Sequence, residues 1–210
     1  MDSKETGQHY DAIASWWLDQ MKDSTYGVTA LERALTFVGD CRDALDVGCG
    51  CEGRFIRILL ERGFRCTGLD ISSEMIALAA QRYPGANFTT GDICTWQLPR
   101  TFDVITVWDS TFHLPLQSQE PVLRKLCEAL SPNGVLLCTC GGGEERGAIQ
   151  GEFGGKQFEY STLGIPEYIQ LLWRFGCSIR HLEYDQHPEH HVYLIAQKTQ
   201  RRRTPRIQGA

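Results

Sequence analysis

The chain has 210 residues, 42% hydrophobic and 22% charged, which suits one globular domain with a substantial core and leaves little room for a two-domain dehydrogenase. No apolar run approaches the ~20 residues that span a bilayer, and the N-terminal sequence lacks the basic and apolar regions of a signal peptide, so we expect a cytoplasmic protein. The net charge of −5 includes four arginines in the last ten residues, so the rest sums to −9. Such an acidic body argues against nucleic acid as a partner, and we expect the basic tail (200–210) to be a solvated terminus.

The first forty residues predict a helical cap (1–40) ahead of the first strand. Between Tyr10 and Lys22 the apolar residues recur at helical spacing, at Ile13, Trp16, Trp17 and Met21. This pattern indicates an amphipathic helix that packs on the domain or closes over a ligand. A second helix is predicted from Val28 to Val38, followed by a strand from Arg42 to Val47.

The stretch from Ala44 to Phe55, ALDVGCGCEGRF, has the pattern of a strand, a tight turn and a helix. An apolar run ends in Asp46, and glycines follow at Gly48, Gly50 and Gly53. Glycine permits backbone conformations with φ above zero and allows a ligand to approach the backbone closely. We therefore predict a ligand-binding turn here, in preference to an ordinary strand-to-helix turn.

The ligand of this turn has two interpretations. The three glycines fit the G-x-G-x-x-G spacing of nicotinamide dinucleotide sites, and Asp70 follows about twenty residues later, where such sites place an acidic residue. However, Asp46 stands at the end of the strand, where a carboxylate would repel a pyrophosphate and would suit an ammonium or sulfonium group. The charge therefore favours a cationic nucleoside over a dinucleotide.

The same residues resemble the first motif, D-x-G-x-G-x-G, of the class I S-adenosylmethionine-dependent methyltransferase family. Asp46, Gly48 and Gly50 match this motif, whereas Glu52 stands in place of the third glycine. The resemblance implies S-adenosylmethionine as the cofactor, bound by the matching residues together with Cys49. It extends from Tyr10 to Lys198.

The resemblance also assigns roles to residues before and after this turn. Tyr10 with Asp11 resembles a Y-D-x-x-A segment in which the tyrosine covers the methionine end of the cofactor; a tyrosine that only packs on the domain is an equal alternative. Asp70 ends the second predicted strand, where a carboxylate can accept both hydrogens of a ribose diol. Ile71 beside it is expected against the adenine.

A third short strand, Ala86 to Thr90, is followed by Gly91-Asp92-Ile93. In the family, a G-D pair at this place brings the aspartate to the adenine amino group and the next apolar residue to the ring. The resemblance therefore assigns Asp92 and Ile93 to the cofactor site. An aspartate that only forms the turn is the alternative.

The run from Phe102 to Trp108, FDVITVW, is continuously apolar, as is typical of a strand inside a parallel sheet. It delivers residues 109–114 to the carboxyl edge of the sheet, where open α/β sheets bind ligands. By resemblance, Trp108 belongs to the cofactor site and His113 is a candidate base. A histidine that only shapes the pocket is an equal alternative.

The nine cysteines do not have the spacing of a metal site. Cys49 and Cys51, like Cys138 and Cys140, are separated by one residue, whereas structural zinc sites usually have two to four. We therefore predict no metal and expect small buried apolar side chains. An arsenic-methylating branch of the family uses cysteines as substrate thiolates, and that alternative stays open.

The last third of the chain is expected to close the substrate side. Seven glycines between 141 and 155 predict a mobile loop within a substrate-covering segment, 141–165. A helix from Pro166 to Phe175 and strands from Cys177 to Tyr184 and from His190 to Gln197 are then predicted. Because the last strand would run antiparallel, it should begin at the carboxyl edge, beside His113. Alternation sends His190 and His191 to opposite faces, so at most one of the two, alone or with His113, is expected to contact or deprotonate the acceptor. A polar turn whose histidines are only solvated or hydrogen-bonded is an equal alternative.

These observations predict a Rossmann-like α/β domain, 1–199, with a seven-stranded, mostly parallel sheet, an antiparallel last strand and helices on both faces. The function expected from the resemblance is transfer of the methyl group of S-adenosylmethionine to a small-molecule acceptor, without nucleic-acid or membrane partners. Two alternatives remain, a nicotinamide-dependent oxidoreductase and a methyltransferase-like protein that binds a nucleoside without turnover. Neither the acceptor nor the oligomeric state follows from the sequence.

Overall fold

The computed structural model describes residues 1–39 and 42–199, and the basic tail lies outside them. Within these residues six α-helices and nine β-strands follow one another in the order α1 Ser3–Met21, α2 Val28–Leu35, β1 Asp43–Val47, α3 Arg54–Glu61, β2 Arg65–Asp70, α4 Ser73–Arg82, β3 Asn87–Thr90, β4 Phe102–Val107, α5 Leu116–Ala129, β5 Leu130–Gly141, β6 Gly147–Phe153, β7 Lys156–Thr162, α6 Ile165–Arg174, β8 Cys177–Glu183 and β9 His191–Lys198. None of the described helices is both long and apolar enough to cross a bilayer.

Seven strands form one sheet in the order β3-β2-β1-β4-β5-β9-β8, and β9 runs antiparallel to both of its neighbours. The predicted Rossmann-like fold with an antiparallel last strand is therefore confirmed. The chain moves outward from β1 to β3 and then returns to continue on the other side at β4. A crevice opens at such a reversal, outside the carboxyl ends of the central strands, and there open α/β sheets bind ligands.

Apolar side chains cover both faces of the sheet. In β4, Val104 belongs to the core formed with α2 and α3, whereas Ile105 belongs to the core formed with α5 and α6. Both side chains are fully buried, as expected for a central strand covered by helices on each side. This packing fixes the strand ends that carry the site.

Several boundaries differ from the predicted ones. Helix α1 begins at Ser3, before the apolar repeat, because Asp2 caps it by accepting a hydrogen bond from the Glu5 amide. The amphipathic pattern of the sequence predicts a helix from Glu120 to Leu130, whereas α5 begins at Leu116. The sequence Ser131-Pro132-Asn133-Gly134 predicts a turn before the next strand, but it forms an irregularity inside β5, since pairing with β4 passes from Leu130 directly to Val135.

The glycine-rich segment is a β-hairpin, which corrects the loop expected from its composition. Strands β6 and β7 pair antiparallel in a sheet of their own, and the turn between them consists of Gly154 and Gly155, both with positive φ. Phe158 of β7 is fully buried. The glycines therefore serve the turn, and the hairpin adds a buried side chain to the domain. Its role as a substrate cover stays a prediction.

Candidate functional site

The conformation of the glycine turn after β1 is explained by contacts within the protein, without a ligand. Gly48, Gly50 and Gly53 all have positive φ, between 59° and 69°. A Cβ at Gly48 would lie 2.2 Å from the Cβ of Ser110, and one at Gly50 would lie 2.8 Å from the Glu52 carboxylate. From the sequence, this space is expected to be occupied by a ligand. In the structure, backbone conformation and neighbouring side chains already require glycine there.

Asp70 connects the glycine turn to the end of β2. One carboxylate oxygen accepts a hydrogen bond from the Gly50 amide and the other from the Ser72 amide, both at 2.9 Å. Burial raises the pKa of Asp70 to about 6, although these backbone hydrogen bonds oppose the shift. The residue lines the main cavity, so it presents a fixed carboxylate at the predicted ribose position.

Asp46 and Cys49, two residues of the glycine motif, lie behind this surface. Asp46 is buried and accepts a hydrogen bond of 2.6 Å from the Thr106 hydroxyl, and burial raises its pKa to about 7. Cys49 is buried beneath Gly68. Neither is among the described residues that line the cavity. Their position is that of a support for the turn.

The predicted adenine side is brought together as expected. Ile71, Asp92 and Ile93 all line the cavity next to Asp70. The Asp92 carboxylate also accepts a hydrogen bond of 2.8 Å from the Cys94 amide, so this residue stabilises the turn as well as lining the cavity. Both interpretations of this aspartate therefore fit the structure.

Lys125 of α5 was not expected at this site. Its ammonium donates hydrogen bonds to the backbone carbonyls of Ile93, Cys94 and Trp96, at 2.7 to 3.1 Å. These three bonds fasten the segment that carries Asp92. Only the tertiary fold brings a lysine of a later helix under this loop, so the sequence offers no signal for the contact.

Tyr10 and His113 meet across the opposite side of the cavity. The Tyr10 hydroxyl lies 2.8 Å from Nε2 of His113, and both residues line the cavity. Burial lowers the pKa of His113 to about 4, although the Glu159 backbone and Asp109 oppose this, and burial raises the pKa of Tyr10. Tyr10 therefore keeps its proton and donates a hydrogen bond to Nε2 of a neutral His113.

His191 lies between two carboxylates behind the cavity wall. Its Nε2 is 2.9 Å from Asp109 and its Nδ1 is 2.6 Å from Asp185, so both ring nitrogens donate hydrogen bonds. Burial lowers the pKa of His191, but the hydrogen bonds and charges of the two aspartates raise it overall. The two carboxylates therefore favour the imidazolium form, in which both ring nitrogens carry a proton. His190 is exposed, and the structure does not bring it to the cavity.

Helix α1 contacts Glu52, the residue that stands in place of the third glycine of the motif, and so closes this side of the cavity. Glu52 is buried, accepts a hydrogen bond of 3.0 Å from the Trp17 indole, and pairs with Arg54. Trp17 was predicted on this helix but not assigned to the site. The sequence signal for this contact is the glutamate at a position where the motif has glycine, because a buried carboxylate needs hydrogen-bond or ion-pair partners.

The cavity has a volume of about 390 Å³, within the range of small-molecule sites. It runs along the carboxyl edge from the ends of β2 and β3 to the end of β4. Its charged lining comprises four carboxylates and one guanidinium, from Glu52, Asp70, Asp92, Asp109 and Arg54. Aromatic side chains cover much of the rest: Tyr10, Trp17, Tyr26, Trp108, Phe112, Phe153 and Tyr160.

This acidic and aromatic lining fits a cationic nucleoside. The carboxylates suit sulfonium and ammonium groups, and the buried indole N–H of Trp108 has no hydrogen-bond partner among the described residues. A pyrophosphate fits poorly, because the Glu52 carboxylate, paired with Arg54, already occupies the space beside Gly50 before the first turn of α3, where a dinucleotide would need room. Among the described residues, no three histidine, cysteine, aspartate or glutamate side chains form a metal site. Fold and site together define an α/β domain that binds a nucleoside.

Comparisons with known proteins give the family. Residues 44–134 match a family model described as a methyltransferase domain. The chain is 30% identical over 167 residues to phosphoethanolamine N-methyltransferase of Plasmodium falciparum (isolate 3D7), covering 76% of this chain and 62% of that protein. It is 30% identical over 161 residues to trans-aconitate 2-methyltransferase of Escherichia coli (strain 55989 / EAEC), covering 71% of this chain and 63% of that protein. The chain thus spans less than two thirds of the length of these relatives.

A solved structure supports the same conclusion at the level of the fold. Burkholderia thailandensis 1,6-didemethyltoxoflavin-N1-methyltransferase aligns with a TM-score of 0.73 at 20% identity, covering 93% of this chain and 88% of that chain. The chain carries a class I S-adenosylmethionine-dependent methyltransferase domain.

Proposed function

We propose that this chain transfers the methyl group of S-adenosylmethionine to a small-molecule acceptor. The observation that carries the proposal is Asp70, a buried carboxylate fixed by the Gly50 and Ser72 amides at the wall of an acidic cavity. A carboxylate in that place at the end of the second strand suits a ribose diol. The named relatives act on small molecules, which supports this acceptor class.

The proposed cofactor site consists of residues that line the cavity and of residues behind them that hold the glycine turn. Tyr10, Gly48, Gly50 and Trp108 line it together with the predicted ribose and adenine residues, Asp70, Ile71, Asp92 and Ile93. Asp46 and Cys49 hold the turn from behind. The cofactor supplies a sulfonium-activated methyl group, so the protein mainly aligns the reacting atoms and excludes water.

The histidines are proposed to position their neighbours. His113 holds the Tyr10 hydroxyl, and His191 holds Asp109. As arranged here, the Nε2 lone pair of His113 is occupied and His191 has no free lone pair. Either would have to change its partners before acting as a base, and an acceptor that needs no strong base fits the site better than an alcohol. For the exposed His190 we propose no role.

The two alternative functions make different predictions. An oxidoreductase would bind a nicotinamide dinucleotide, against which the position of Glu52 argues. A non-catalytic relative would bind the cofactor or its product without transferring the methyl group. The proposed compartment is the cytoplasm, and neither nucleic acid nor a membrane is proposed as a partner.

Two measurements test the proposal in sequence. Calorimetric titrations with S-adenosylhomocysteine and with NAD decide the cofactor, and we expect only the first to bind. A panel of small acceptors is then incubated with S-adenosylmethionine, and release of S-adenosylhomocysteine is measured. Binding without release for any acceptor supports the non-catalytic alternative, and binding of NAD alone contradicts the proposal.

A further inference from the structure

The end of the cavity at β4 and β9 lies across the glycine turn from the predicted nucleoside side. Asp70 ends β2 and Asp92 follows β3, both on one side of β1, whereas Asp109 follows β4 on the other side. A nucleoside held at β2 and β3 therefore leaves the β4 end to the methyl donor and its acceptor. We call the side chains of Asp109, Asp185 and His191 the acidic cluster.

The acidic cluster carries a net negative charge in every protonation state of its histidine. Asp109 and Asp185 contact the two ring nitrogens of one imidazole, at 2.9 and 2.6 Å. An imidazolium balances one carboxylate and a neutral imidazole balances none. Of its three members, Asp109 lines the cavity, with about a third of its side chain exposed. Charge is therefore presented to a ligand at this carboxylate.

Arg54, whose guanidinium lies 5.8 Å from the centre of the Tyr26 ring, carries the positive charge of the described cavity lining, and this charge is already paired. Arg54 contacts the Glu52 carboxylate and donates a hydrogen bond of 2.7 Å to the Tyr26 carbonyl. Its guanidinium is thus neutralised on the side of the glycine turn. Because Glu52 already neutralises Arg54, an anionic acceptor at the β4 end would meet the charge of Asp109 without an unpaired guanidinium in the described lining to balance it.

Aromatic rings surround the same end. Tyr26 and Trp108 pack edge to face at 5.3 Å between ring centroids, and the Tyr26 hydroxyl accepts a hydrogen bond from Gln186. Phe112 and Tyr160 pack at 5.5 Å, and all four rings line the cavity. Aromatic faces attract an ammonium group and repel a carboxylate. The rings and the acidic cluster therefore favour the same charge.

Backbone strain marks Asp109 as a fixed position. Its φ is 49°, and its amide donates a hydrogen bond of 2.8 Å to the Thr139 hydroxyl. Non-glycine residues rarely adopt this conformation, and asparagine and aspartate tolerate it best. The carboxylate is thus held at the cavity by its backbone on one side and by His191 on the other.

We propose, building on the function proposed above, that the methyl acceptor is an amine whose nitrogen is bound by Asp109 among the rings of Tyr26 and Trp108. The bound ammonium releases one proton to solvent, and the free nitrogen lone pair then forms the N–C bond. The electron pair of the breaking C–S bond remains on sulfur. The products are the N-methylammonium ion and S-adenosylhomocysteine, so charge and atoms balance.

Calorimetry on the protein saturated with S-adenosylhomocysteine tests this proposal. The probes are matched sets that differ in one group: benzylamine, benzyl alcohol and benzoate, and cyclohexylamine, cyclohexanol and cyclohexanecarboxylate. We expect at least one amine to bind about tenfold or more tightly than its alcohol and carboxylate, as a charge-assisted hydrogen bond predicts. Asp109→Asn keeps the backbone conformation and removes the charge, so it should abolish that preference. Glu61→Gln, on the exposed face of α3, is the matched control and should keep it.

The outcomes separate this proposal from the one on which it rests. Failure of the wild-type protein to bind S-adenosylhomocysteine overturns both. With that binding present, the amine proposal is overturned if no amine binds more tightly than its alcohol, or if Asp109→Asn retains the preference. It is also overturned if Asp109→Asn weakens S-adenosylhomocysteine binding and leaves the amine preference unchanged, which would place the carboxylate at the ammonium group of the cofactor.

Discussion

Tyr10 and His113 are 103 positions apart in the chain, and their side chains share a hydrogen bond of 2.8 Å. This contact fastens α1 to the segment after β4. Phe158 of the hairpin packs against both rings, with ring centroids 4.9 and 5.2 Å away. The helical cap, the strand end and the hairpin therefore meet at one place beside the cavity, so closure of the site depends on this pair.

Removal of the Tyr10 hydroxyl should loosen that closure. We expect Tyr10→Phe to weaken S-adenosylhomocysteine binding by about 0.5–1.5 kcal/mol, the usual net contribution of a hydrogen bond, while the ring packing remains. Calorimetry measures the change. Tyr184→Phe removes a hydroxyl that bonds the Gly142 carbonyl outside the cavity lining, and it should bind like the wild type. Equal losses in both variants would refute a specific role for Tyr10.

Cofactor affinity should depend on pH through Asp70. The pKa of this buried carboxyl is raised to about 6, so the free protein takes up a proton as the pH falls through that value. A ribose diol requires the carboxylate as acceptor, so binding must release the proton. We expect affinity to be constant above about pH 7 and to fall by up to about tenfold per pH unit below pH 6. An affinity that does not change between pH 5 and pH 7 would contradict this role.

Lys125 should support the adenine side without touching the cofactor. Because its ammonium binds three carbonyls of the segment after Asp92, Lys125→Met should release that segment and lower S-adenosylhomocysteine affinity by about 1–3 kcal/mol. Lys198→Met is the control, because this lysine also donates to backbone carbonyls, of Cys127 and Phe175, at a distance from the cavity. Loss of affinity in the control alone would refute the assignment.

His191 should stabilise the fold in acid and lose that effect as the pH rises. Its pKa in the folded state is raised by the two aspartates, so its contribution is complete below the pKa of the unfolded chain and is lost as the pH passes the folded value. We expect the difference in unfolding free energy between wild type and His191→Gln to shrink with rising pH. His190→Gln, at an exposed position, should show no such trend in denaturant titrations. A difference that grows with pH would contradict the paired imidazolium.

The sequence predicts the fold because most helices and strands are indicated by their own residues, through apolar spacing and turn residues at their ends. A glycine turn followed by regular apolar spacing at Phe55, Ile56, Leu59 and Leu60 predicts a helix from Arg54 to Glu61, and α3 has these bounds. The hairpin was missed because its glycines dilute the alternation that marks a strand. Phe158, the residue that anchors it, has no local signature of burial.

The residues of the site also fall into those that the sequence predicts and those that it does not. Asp70, Ile71, Asp92 and Ile93 were placed together correctly because the ends of neighbouring parallel strands meet at one edge. The sequence does not predict contacts between side chains that are distant in the chain. Lys125, which holds the segment after Asp92, and Tyr160, which lines the cavity, are two residues of this kind. Asp109 was expected at the edge, but its contact with His191 depends on the register between β5 and β9.

The central claim, that Asp70 binds the nucleoside of an S-adenosylmethionine cofactor, has a matched control in the chain. Asp43 also lies in a sheet strand, but at the amino end of β1, where it pairs with Arg65 and Arg100. Asp43→Ala therefore removes an aspartate from the opposite edge of the sheet and should leave cofactor affinity unchanged. Thermal unfolding of both variants verifies that they are folded.

The decisive measurement is the calorimetric affinity of Asp70→Ala for S-adenosylhomocysteine, compared with wild type and Asp43→Ala. Hydrogen bonds to a charged acceptor predict a loss of about 1.5–3 kcal/mol for Asp70→Ala and no loss for the control. A folded Asp70→Ala variant that binds S-adenosylhomocysteine as tightly as the wild type would contradict the account.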